Sequence, residues 1–138
     1  MFDALAGIGV DEETESEFAG RVTEVVLRHK ASAVCEIGYR IRTTEADPET
    51  AEYVLRALGD MDHAETHSPR LWVLKRALQS PFSAVRDGAN IGLAFMDDPE
   101  AIPALKQAIE EERLPLLRKL LLKTLHQLEN TANAQLPA

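Results

Sequence analysis

The residues best suited to chemistry are His63-Ala64-Glu65-Thr66-His67. Two histidines at i and i+4 would share a helix face and offer two imidazoles to a zinc ion, with Asp60 or Asp62 nearby. Glu does not follow the first histidine, so this is not the H-E-x-x-H metalloprotease arrangement, and no third ligand is identifiable. The stretch also reads as the longest polar connection in the chain. Its first reading is a polar loop; a metal-dependent enzyme or metal-binding protein using His63 and His67 is the alternative. The one cysteine, Cys35, has no second cysteine or histidine at useful spacing, so it reads as a small buried or half-buried thiol. No nucleophile motif occurs. No catalytic residue and no cofactor is assigned.

The binding candidates are different. Trp72 is the only tryptophan and lies beside the Leu71, Leu74, Leu78 stripe rather than in it. It reads as core or half-buried, or alternatively as an interface anchor, because tryptophan is enriched at binding hot spots. Lys75 and Arg76 flank it. Asn90, on the narrow polar stripe of the following helix, completes the candidate partner-binding set. Arg118, Lys119 and Lys123 face outward near the C-terminus, enough to keep an accessory subunit of a nucleic-acid machine as a further alternative.

Charge weighs on that alternative. The net charge is −8. Residues 1–67 carry 15 acidic and 6 basic side chains, and residues 68–138 carry 8 and 9. Direct nucleic-acid binding is disfavoured for the first half, which lacks the cations needed to neutralise phosphates. An acidic half would instead steer a basic protein partner. No apolar run approaches the ~20 residues of a membrane span, and residues 1–13 lack the pattern of a secretory signal. The expected residence is cytoplasmic.

The elements that must position these residues are helices. Phe18, Val22, Val25 and Val26 form one apolar stripe over 14–30, and Val34, Ile37, Gly38 and Ile41 another over 32–44. Asp47-Pro48 opens a helix that Gly59 should end. Ser68-Pro69 opens another, to about Gln79. In 83–96, Val85, Ala89, Gly92, Leu93 and Met96 line one face, and Gly88, Ile91 and Phe95 a second, as expected of a helix buried between neighbours. Gly88 and Gly92 imply close helix approach. After the corner Asp97-Asp98-Pro99, a helix through Ile102, Leu105 and Ile109 ends in Glu110, Glu111 and Glu112, with Arg113 or a partner to offset that charge. The last helix, 114–129, points Leu114, Leu117, Leu121, Leu125 and Leu128 inward, with Leu116, Leu120 and Leu122 broadening that face. Residues 1–10 read as a flexible arm, 11–129 as a single domain and 130–138 as a disordered tail.

Two internal matches stand out. Ser32-Ala33-Val34 and Asp47-Pro48-Glu49 recur at Ser83-Ala84-Val85 and Asp98-Pro99-Glu100, both 51 residues later. Leu117-Arg118 repeats Val85-Arg86 after 32 residues. The unit, Val85-Arg86…Ala89…Leu93 followed by Asp98-Pro99-Glu100-Ala101-Ile102-Pro103…Leu105, resembles a HEAT repeat of the short bacterial kind. The resemblance implies an all-α, right-handed α-solenoid of about seven helices that binds another protein without catalysis. It also implies that Arg86 and Asp98 tie neighbouring helices together; Val85, Asp87, Gly88, Gly92 and Pro99 complete the structural set. One conflict arises. Strict alternation of layers puts the two units of the 51-residue match in opposite phase, which favours pairing 48–58 with 68–79 and 83–96 with 99–112. A basic effector or toxin that the module neutralises or scaffolds is the finer expectation.

Overall fold

The computed structural model describes residues 15–43 and 47–136, and the side chains from residue 17 onward. Its elements are α1 (Glu15–Arg42), α2 (Pro48–Asp60), α3 (His67–Ala77), α4 (Ser83–Met96), α5 (Ile102–Glu111) and α6 (Pro115–Ala134). Short 3-10 turns precede α3 and α5 at Ala64–Thr66 and Pro99–Ala101. There is no strand among the described residues. The expected arm 1–10 lies outside them.

α1 replaces two expected helices, but it is broken at Lys30, whose φ of 57° and ψ of −140° are not helical. The described residues thus form seven helical segments, the last six of them arranged in two alternating layers. One layer holds the second part of α1, α3 and α5. Gly38 of α1 abuts Val73 of α3, His67 at the start of α3 bonds Asp98 ahead of α5, and Leu78–Ser80 border Ala108–Arg113. The other layer holds α2, α4 and α6. Glu52 and Leu55 of α2 meet Gly88 and Gly92 of α4, while Ala94 and Asp97 accept hydrogen bonds from Gln127 of α6. Contacting positions within a layer are 30 to 37 residues apart in sequence. The 32-residue match of Leu117-Arg118 to Val85-Arg86 is therefore in phase. The 51-residue match is not: it equates α2 with α5, which lie in opposite layers.

The closest packing is between α2 and α4. A Cβ on Gly59 would overlap the backbone of Gly92, and one on Gly88 would come within 2.8 Å of the Glu52 backbone. Gly59 is therefore not a helix terminator, as the sequence suggests; it lies within α2 so that two backbones can touch. Leu55, Leu58, Leu74, Leu93, Leu105, Leu121 and Leu128 fill the space between layers, fully enclosed or nearly so. Each contributes ~2 kcal/mol of hydrophobic burial.

Local chemistry sets the corners. Asp47 caps α2 by accepting from the Thr50 N–H at 3.3 Å, with Pro48 in the first helical position. Asp97 ends α4 in the left-handed region (φ 51°, ψ 41°), a conformation Asp tolerates better than most side chains. Its Oδ1 accepts from Gln127 and Thr131 of α6 at 3.0 and 2.8 Å. Those bonds, with buried Leu128, carry α6 to Ala134, so much of the expected tail is helix.

Several expected inward residues face outward. Leu116 is 71% exposed; Leu114 and Leu120 are also exposed, as is Phe95, at 52%. Leu116 and Leu120 stand one residue, about 100° of helix, off the Leu117–Leu121–Leu125–Leu128 stripe, and Leu114 precedes the first turn of α6. Cys35 is exposed for the same angular reason, one position past Val34.

Candidate functional site

Two depressions contain candidate binding and metal-ligating residues. The first is a cleft of about 210 Å³ between the second part of α1 and α3, lined by Gly38, Ile41, Arg42, Trp72, Val73, Arg76, Ala77, Gln79, Ser80 and Pro81. Gly38 lets α1 lie against Val73, and the Ser80-Pro81 turn closes one end. Trp72 is 47% exposed, because Leu71, Val73 and Leu74 take the inward positions of α3. The Arg76 guanidinium lies over the Trp72 ring, 5.1 Å from its centre, and the Arg42 guanidinium over Tyr39 at 5.8 Å. Lys75 reaches Glu100 at 3.9 Å rather than the cleft. Trp72 and Arg76 thus share one site, with Lys75 beside it.

Asn90 does not join them. It is 4% exposed, on a face of α4 enclosed by neighbouring helices, and cannot touch a partner. Its Oδ1 is enclosed without a hydrogen-bond partner among the described residues, as is Oδ1 of Asp87. Asp87 faces Glu52 of α2; burial first, and then the Asp87 carboxylate, push the Glu52 carboxyl above its ordinary pKa.

The second depression is a recess of about 380 Å³ lined by Gly59, Asp60, Met61, Asp62, His63, Ala64, His67, Arg70, Phe95 and Met96. It contains both candidate metal ligands, but each imidazole is engaged elsewhere. His63 Nδ1 is 2.8 Å from Thr66 Oγ1, and His67 Nε2 is 2.7 Å from Asp98 Oδ2. Among the described residues no group of three potential ligands is placed to hold a metal ion. Asp98 also accepts from the Glu100 N–H at 2.9 Å. Burial alone would raise the Asp98 pKa, but the bonds from His67 and Glu100 prevail and hold it below the usual range.

The residue that organises the recess is Arg70, which the sequence reading passed over. It is 2% exposed. Its guanidinium donates to the carbonyls of Leu58 (2.7 Å), Met61 (2.9 Å) and His63 (2.8 Å), and its Nε donates to Thr66 Oγ1 at 3.0 Å. It thereby satisfies carbonyls left open at the end of α2, where no glycine cap exists. A signal was present: Arg70 stands on the stripe of Leu74 and Ala77, an apolar register that a solvated arginine would not occupy.

The remaining candidates hold the frame. Arg86 forms a two-pronged ion pair with Glu112 at 2.8 and 3.1 Å and donates to the Ser80 carbonyl at 3.0 Å. Its hydrogen bonds are the main reason the Glu112 carboxyl is held below its ordinary pKa. Of the three glutamates at the end of α5, Glu112 is offset by Arg86 rather than by Arg113. Arg118 donates to the Ile109 carbonyl at 3.1 Å, leaving Lys119 and Lys123 as exposed cations on that helix.

The model of the family described as HEAT repeats matches residues 40–126. The chain belongs to the HEAT-repeat family, and its two-layered stack is the α-solenoid of that family. Comparison with curated proteins and with solved structures found no match. HEAT repeats generally mediate protein–protein interaction. No helix among the described residues is long and apolar enough to cross a membrane.

Proposed function

We propose that this protein is a non-catalytic protein-binding module whose partner sits on the cleft between α1 and α3. One observation carries the reading: Trp72, half-exposed in an apolar cleft, has the Arg76 guanidinium over its ring and shares the cleft with Arg42. Such aromatic residues in pockets supply most of the energy of protein interfaces. In the recess, in contrast, His63, His67 and Arg70 each bond within the chain.

The net negative charge supports a subordinate reading, in which exposed Glu49, Asp60 and Asp62 at the ends of α2 draw a basic surface of the same partner, such as a basic effector. Partner capture from native-host extracts, comparing the native chain with Trp72→Ala, tests the main reading. The expected result is a partner recovered by the native chain and lost with Trp72→Ala. Equal recovery by both would contradict it. Recovery that falls at high salt and with charge reversal at Glu49, Asp60 and Asp62 would support the subordinate reading.

A further inference from the structure

The rim of the cleft is cationic although the chain is acidic. We propose that the cleft takes an acidic segment of the partner protein. One apolar or aromatic side chain of that segment seats against Trp72, and flanking carboxylates pair with Arg42 and Arg76. This rests on the protein-binding reading above and names the chemistry of its ligand.

Size is the first argument. A cleft of about 210 Å³ is below the ~300–1,000 Å³ of ordinary small-molecule sites and matches about one large side chain. Its floor is apolar, built from Ile41, Trp72, Val73, Ala77 and Pro81.

Charge is the second. Of the nearby cations, Arg40 is paired with Glu36 and Lys75 with Glu100. Arg42 and Arg76 have no carboxylate partner among the described residues; each lies instead over an aromatic ring. A guanidinium held over a ring by its charge makes no hydrogen bond to it and keeps its N–H donors for a ligand. Those donors match the two oxygens of a carboxylate. The rings also hold the arginines in place before a ligand arrives, which lowers the entropy cost of binding. A basic segment would meet two unpaired like charges at the cleft mouth, which penalises the wrong partner.

Trp72 is the only tryptophan, so its fluorescence reports on the cleft without a label. The probe is a peptide of about seven residues with phenylalanine at its centre and glutamate or aspartate on both sides. The control carries lysine at every acidic position. The native chain should show a saturable change in Trp72 emission with the acidic peptide and bind the lysine peptide at least about tenfold more weakly. The double substitution Arg42→Glu with Arg76→Glu should weaken the acidic peptide at least about tenfold while helicity is kept. Should that variant fold poorly, Arg42→Gln with Arg76→Gln serves, with the same direction of change.

Equal binding of the two peptides, no saturable change, or full binding by the charge-reversed variant would each overturn the proposal. If the acidic peptide fails while Trp72-dependent partner capture persists, the ligand chemistry is wrong and the binding-module reading stands. If neither depends on Trp72, both fall.

Discussion

The cleft and the recess sit on one scaffold and hold similar residue types, yet their polar groups are used in opposite ways. In the recess the arginine and both histidines bond within the chain. Arg70 closes the end of α2, His63 holds Thr66, and His67 ties the start of α3 to Asp98. In the cleft, two guanidiniums lie over the rings of Trp72 and Tyr39 and pair with no carboxylate among the described residues. The difference teaches that reactive residue types do not mark a site. The histidine pattern is the stronger chemical motif, and it serves the fold. The lone tryptophan is the weaker motif, and it stands where a partner can reach it.

The comparison breaks first at Arg70. Arg70→Met should leave three carbonyls without their donor at a buried position and cost about 3–5 kcal/mol, read as a large fall in the thermal midpoint. A small shift would mean the recess is not the structural region described. Next, Gly92→Ala should separate α2 from α4 and cost about 2 kcal/mol or more, in the manner of an overpacked core. Asp98→Asn should cost about 1 kcal/mol at neutral pH, measured by chemical unfolding.

The sign with pH follows from the lowered carboxyl. Asp98 and Glu112 both have depressed folded values, so their stabilisation is present above the ordinary carboxyl range and is lost as pH falls through the folded values. Asp98→Asn should accordingly flatten the acid limb of a stability–pH curve; a curve parallel to the native one would count against the His67–Asp98 bond. Smallest of all, Trp72→Ala should change stability by no more than about 1 kcal/mol, as expected for an exposed position, while removing partner capture. A cost like that of Arg70→Met would place Trp72 with the structural residues.

Much of the architecture is legible in the sequence, because apolar spacing and Asp-Pro corners are local signals. The corner at Asp97-Asp98-Pro99 and the close approach at Gly88 and Gly92 follow from residue type alone. The phase of the repeat does not. The 51-residue match is the longer of the two, but only the 32-residue one survives, since layer membership depends on which helices touch. Asn90 misled for a related reason: a polar stripe on a helix between two neighbours is buried whatever its residues are. The cleft was only partly legible. Trp72, Lys75 and Arg76 are local on α3, whereas Arg42, Ile41 and Gly38 reach the same place from 30 to 38 residues away, which no local pattern encodes.

The most direct test places a photo-crosslinking amino acid at one of two exposed positions in the native host, Gln79 at the cleft or Asp62 at the recess. A partner adduct from position 79 is the predicted result, with one from position 62 only where the acidic end of α2 also meets that partner. An adduct from position 62 and none from position 79 would contradict the assignment of the cleft as the binding site.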